Sequence, residues 1–216
     1  MEVSKHNHTY LTHIGRGDRK VVLAGDSVLF HYGPRIQQLS DDGRLAANVW
    51  FVSGGSCAPV PGMIQRDYFS HCANLPSLLT DLVRREGIQS VVLGASWSGY
   101  RGEGLSIERN GRQLSLGTLE GQDAYFSNLE DYVRSLQSLG VHVYIVLSTP
   151  VHGALSPRAM ITRSLTGFSV APDAGKSVPI SGLKGPINSV DDKLRIVSVR
   201  TGAPLLDPFP DICGHW

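Results

Sequence analysis

The chain has 216 residues, enough for one domain with a sizeable core. Its 41% hydrophobic and 18% charged residues describe an ordinary globular protein, and a net charge of +1 leaves no electrostatic footprint for nucleic acid or an acidic surface. No stretch approaches the roughly 18 apolar residues that span a bilayer, and Met1 to Gly17 contains no apolar signal core. Taken alone this fits a cytoplasmic protein, and equally a domain cut from a larger one.

Residues 1–18 are polar, carry His6, His8 and His13, and read as a flexible arm without the rigid frame a metal site requires. Residues 19–216 read as a single α/β domain. Val21 to Ala24 form a buried strand that stops at Gly25-Asp26-Ser27, and a helix is expected near 34–40. Val49 to Val52 form a second strand, ending in Ser53-Gly54-Gly55-Ser56-Cys57. After a proline-rich loop, Leu78, Leu79, Leu82 and Val83 mark a helix over 76–86 that Gly87 ends. Ser90 to Gly94 are the third strand. Residues 100–118 hold a small hairpin or an excursion loop around Asn110-Gly111. A long helix runs over about 120–138, with Leu129, Tyr132, Val133 and Leu136 on one face. Val141 to Leu147 are the fourth strand. Residues 151–185 are loop-rich, and a helix over 186–201 leads to a short last strand at Pro204 to Asp207. Strands alternating with helices predict a parallel sheet covered on both faces.

The strand ends carry the candidate chemistry. A serine at the carboxyl end of a parallel strand, beside a helix start, is well placed as a nucleophile, since ligands of open α/β sheets bind at that edge. Ser27 occupies this place; the plain alternative is a turn with a helix cap. Asp26 is read as a brace for the loop. At Gly54 or Gly55 a backbone N–H can approach a developing oxyanion, the alternative being a turn that needs positive φ. The last strand contains Asp207 and leads to Asp211 and His215. His31, His142 and His152 are not expected to take part. Of the three cysteines, Cys57 and Cys72 flank the proline-rich loop and could be bridged, leaving Cys213; three free thiols are the other reading.

The order of these blocks resembles the SGNH (GDSL-like) hydrolase superfamily. The match narrows with Gly25-Asp26-Ser27, Tyr32 with Pro34-Arg35-Ile36, the run Gly54 to Gly62, Val91 to Trp97, and Leu206-Asp207-Pro208-Phe209 with Cys213. Together these look like the SGNH domain fused to acyltransferase family 3 membrane proteins, which O-acylate bacterial surface sugars. The resemblance implies a flavodoxin-like three-layer α/β/α sandwich with a central parallel sheet. It implies a serine esterase or O-acetyltransferase that works on carbohydrate acyl esters through an acyl-serine at Ser27. Ser27, Gly54 and Gly55 would form the oxyanion hole and a late Asp–His pair the base and its orienting acid, for which His215 and Asp211 are the candidates within this chain; Trp97 is read as a wall of the substrate pocket or, nearly as readily, as a plain core tryptophan. Trp97 stands where ordinary family members place an oxyanion asparagine. No metal or organic cofactor is implied. Partners are an acylated glycan and an integral-membrane acyltransferase domain, with no nucleic acid. In that setting the domain is periplasmic or otherwise extracytoplasmic, and Cys57 and Cys72 form a disulfide.

Asp211 and His215 are separated by three residues, whereas the family block is Asp-x-x-His. The expectation is therefore a C-terminally truncated domain, with the catalytic pair and the partner of Cys213 lying beyond Trp216. A rival reading is a catalytically inactive glycan-binding module. A nucleotide-binding flavodoxin-like domain is disfavoured, because Gly25-Asp26-Ser27-Val28 lacks a phosphate-cradling glycine run.

Overall fold

A computed structural model describes residues 2–6, 9–65, 72–102, 104–150, 161–164, 167–171, 178–185 and 187–213. The strands are β1 (Glu2–His6), β2 (Thr9–Ile14), β3 (Arg19–Gly25), β4 (Ala47–Gly54), β5 (Met63–Gln65), β6 (Ser90–Gly94), β7 (Leu105–Arg109), β8 (Arg112–Ser115), β9 (His142–Val146), β10 (Ile161–Ser164), β11 (Gly167–Val170) and β12 (Leu205–Leu206). The helices are α1 (Ser27–Phe30), α2 (Gly33–Asp41), α3 (Leu75–Glu86), α4 (Leu119–Gln137), α5 (Ile180–Lys184), α6 (Asn188–Thr201) and α7 (Phe209–Cys213).

Seven strands form one sheet in the order β1-β2-β4-β3-β6-β9-β12. The five from β4 to β12 run parallel, as the alternation of strands and helices predicts. The sheet is nonetheless mixed, because β2 pairs antiparallel with β4 and β1 with β2. The expected flexible arm is thus replaced by two strands, of which β1 is the edge of the sheet. Its polar composition hid them: β2 commits few large apolar side chains, with Ile14 against Val49 and Phe51, and Leu11 against the main core.

The two faces of the sheet are covered unequally. On one face Val22, Val52, Val91, Leu93, Val143 and Ile145 are buried with apolar side chains of α3, α4 and α6 in one continuous core. Leu79 and Leu82 of α3, Leu129 and Val133 of α4 and Leu194 of α6 recur at helical spacing, which puts each on the sheet-facing stripe. On the other face a smaller cluster joins Ile14, Val49 and Phe51 to Leu23 and to Ile36 of α2. Beyond it, Leu23, Leu29, Ile36, Val92, Val146 and Ile212 line an apolar groove of about 500 Å³, with Tyr32, Asp207 and Asp211 also on its walls. Among the described residues no helix is long and apolar enough to cross a membrane.

Two excursions leave the sandwich. β5, β7 and β8 form a small sheet whose β7–β8 turn puts Asn110 at φ 53° and Gly111 at φ 72°, the left-handed pair that the Asn-Gly sequence favours. β10 and β11 pair as a separate ribbon inside the segment expected to be loop-rich.

Candidate active site

β3 delivers the site. Gly25, its last residue, pairs with Ser53 of β4 and Gly94 of β6. A Cβ on Gly25 would lie 1.7 Å from the Gly94 carbonyl oxygen, and one on Gly94 would lie 2.9 Å from the Leu29 side chain. Two glycines side by side therefore let the chain turn sharply and let Leu29 of α1 pack onto the strand ends. Ser27 is the first residue of α1 and is exposed at the carboxyl edge of the sheet. The helix leaves the N–H of its first residue unpaired. α1 is a single turn, so it offers free N–H groups rather than a summed dipole.

Asp26 holds this turn. It is 2% exposed and accepts three hydrogen bonds. Oδ1 accepts the Val28 N–H at 2.9 Å, the cap expected of an Asp before a helix. Oδ2 accepts the Ser96 N–H at 2.8 Å and the Tyr100 hydroxyl at 2.9 Å. One buried carboxylate thus ties α1 to the loop after β6. Burial, then the Asp26 charge, pushes the Tyr100 hydroxyl far above its usual range, so it stays protonated and donates. Tyr125 stacks on Tyr100 with ring centroids 6.5 Å apart, and the same two causes raise it.

Gly54 and Gly55 end β4 and open the next turn. Neither has positive φ; the left-handed residue is Ser56, at φ 57°. This corrects the turn-conformation explanation for the glycine pair. A Cβ on Gly55 would meet nothing within 4 Å, so internal packing does not demand glycine there either. The backbone at Gly55 is exposed and bare. The Cys57 N–H donates to the Gly54 carbonyl at 3.1 Å, and Cys57 is bonded to Cys72 across 15 residues, which pins the loop that follows.

Trp97 does not line an open pocket. It is 1% exposed and its Nε1–H donates to the Val146 carbonyl at 2.8 Å, so the ring serves the core between β6 and β9. A large ring with a hydrogen-bonded N–H is stable in such a place. The Ser96 N–H beside it is already taken by Asp26.

Of the acid and base candidates, only Asp207 and Asp211 fall among the described residues. His215, like His152, lies outside the described residues. Asp211, on α7, lines the apolar groove, where burial and then the Asp211 charge raise Tyr32. Asp207 caps α7, its Oδ1 accepting the Phe209 N–H at 2.9 Å. Among the described residues Ser27 Oγ makes no hydrogen bond, and no cluster of His, Cys, Asp and Glu could hold a metal ion.

Three polar residues at the same edge carry no motif signal. Asp191, near the start of α6, accepts the Ser148 N–H at 3.1 Å just past β9. The Ser148 and Tyr125 hydroxyls are buried without a partner among the described residues.

Solved structures share this architecture. The periplasmic domain of a lipopolysaccharide acetyltransferase from Salmonella ser. Paratyphi A is 12% identical, with a TM-score of 0.62 over 93% of this chain and 70% of that one. The acetyl xylan esterase AlAXEase is 14% identical, with a TM-score of 0.51 over 89% of this chain and 78% of that one. At such identities the likeness is one of fold. No curated protein matches the chain. The sequence itself matches the SGNH domain (fused to AT3 domains) over residues 3–215, and the chain belongs to that family.

Proposed function

We propose that this domain is a serine esterase or O-acyltransferase that acts on carbohydrate acyl esters through an acyl-serine at Ser27. The observation that carries the reading is the local build of Ser27. It is exposed on a one-turn helix, braced by a buried and triply bonded Asp26, at the sheet edge that also ends in the bare Gly55 backbone.

Ser27 Oγ attacks the acyl carbonyl and passes its proton to a base. The carbonyl oxygen gains the negative charge, held by the Ser27 N–H and an N–H of Gly54 or Gly55. Collapse breaks the bond to the alcohol oxygen, which leaves with the proton from the base. Water or a sugar hydroxyl then attacks the acyl-serine and regenerates Ser27. His215 is the candidate base of this chain, with Asp211 as its orienting carboxylate. The scheme draws on no cofactor. The Cys57–Cys72 disulfide supports an extracytoplasmic location, and the family description supports a membrane acyltransferase domain as partner.

A second reading is a glycan-binding module without turnover, favoured by the spacing of Asp211 and His215, which departs from the Asp-x-x-His block of the family. Turnover of p-nitrophenyl acetate by the chain and by Ser27→Ala and His215→Ala variants separates the two. The enzyme reading expects losses of about 10³-fold or more in the serine variant. Loss in the His215 variant as well assigns the base. Equal background rates in all three support the binding module, which would keep its glycan in Ser27→Ala.

A further inference from the structure

The β10–β11 ribbon is the clearest surface feature that the proposed chemistry leaves unused. Its register pairs Ile161 with Val170, Thr162 with Ser169, and Arg163 with Phe168. Side chains alternate across a strand, so Ile161, Val170, Arg163 and Phe168 share one face and Thr162 and Ser169 the other. The first face is apolar apart from one cation. Phe168 is 71% exposed, Val170 78% and Ile161 49%. The Arg163 guanidinium lies 5.1 Å from the Phe168 ring centroid, and among the described residues it has no carboxylate partner. A two-stranded ribbon alone in water is marginal and needs something against its apolar face.

The sequence around the ribbon indicates what that is. Between Pro150 and Ile187 the charged residues are Arg158, Arg163, Lys176 and Lys184 against one carboxylate, Asp173. In a chain whose net charge is only +1, this excursion therefore carries an excess of cations over carboxylates. Aliphatic and aromatic side chains beside a cation, on a face that joins none of the hydrophobic clusters of the described residues, match the chemistry of an anionic lipid interface. The ribbon lies in the connection that leaves the carboxyl end of β9, the edge of the sheet that also presents Ser27. We propose that the face formed by Ile161, Arg163, Phe168 and Val170 is a membrane-docking surface that seats on anionic phospholipid. This inference does not depend on Ser27 being a nucleophile.

Co-sedimentation of the chain with vesicles tests it, using mixed phosphatidylglycerol and phosphatidylcholine vesicles beside vesicles of phosphatidylcholine alone. Binding is expected to the mixed vesicles, weakening as salt rises. Arg163→Glu, which reverses one charge, is expected to weaken it roughly thirtyfold. Phe168→Ser is expected to weaken it about tenfold or more. Both side chains are exposed, so the melting temperature of each variant should match the parent and exclude misfolding as the cause. Absence of binding to the mixed vesicles, or equal binding by parent and variants, overturns the proposal. Self-association of the parent without vesicles, lost in the same variants, also overturns it and assigns the face to a second copy of the chain.

Discussion

Asp26 is the residue on which the site turns, and its role is electrostatic as much as steric. A carboxylate this deeply buried is tolerated because three donors meet it. Tyr100 supplies the only side-chain donor among them. Tyr100→Phe keeps the ring and removes that hydrogen bond, leaving the charge with two backbone partners. The expected cost is about 1.5–3 kcal/mol of stability, read by chemical denaturation. If the domain turns over esters, kcat should fall about tenfold with KM little changed, because α1 would hold Ser27 less firmly. The serine itself was legible in the sequence, since Gly-Asp-Ser follows a strand. The brace was not, because Tyr100 is 74 residues from Asp26 and no spacing rule connects them. For Trp97 a pocket wall and a plain core tryptophan were both open in the sequence, and burial decides for the core.

Among the elements, the loop after β4 gains most from its covalent tie. Cys57 and Cys72 close a loop of 15 residues that begins next to Gly54 and Gly55. Reduction, or Cys57→Ser with Cys72→Ser, should cost about 3 kcal/mol and lower the melting temperature by roughly 6–12 °C. Thermal unfolding with and without reductant measures this, and an unchanged melting temperature would contradict it. The strands with continuous apolar runs, β4 and β9, and the helices with a clear stripe, α3 and α4, were readable because each buries a whole face. β1, β2 and the β10–β11 ribbon were not. Their pairing is made by backbone hydrogen bonds, and their side chains give little apolar periodicity to read.

At the scale of the whole molecule, the core carries several tyrosines whose hydroxyls are out of water. Burial is the first cause that raises Tyr100, Tyr125 and Tyr132 above the ordinary tyrosine value near 10. The folded chain therefore keeps these protons at a pH where the unfolded chain releases them. Their contribution is fully present below about pH 10 and is lost as pH rises further. Each tyrosine contributes a slope of about 1.4 kcal/mol per pH unit in that window. Stability should thus fall steeply above pH 10, with the phenolate absorbance of these three tyrosines appearing only on unfolding. Phenolate absorbance from these tyrosines before unfolding would show the core to be wetter than described.

The three-layer arrangement itself was foreseeable from alternating strands and helices, whereas the unequal covering of its two faces was not. That asymmetry leaves the apolar groove beside α1 open and sets Asp211 on its wall.

The central claim is that Ser27 becomes acylated. Mass spectrometry of the intact chain after brief exposure to p-nitrophenyl acetate at low pH, followed by peptide mapping, reads it directly. One acetyl group per chain on the peptide containing Ser27, absent from Ser27→Ala, is the predicted result. An unmodified chain, or acetyl groups that persist in Ser27→Ala, would contradict it.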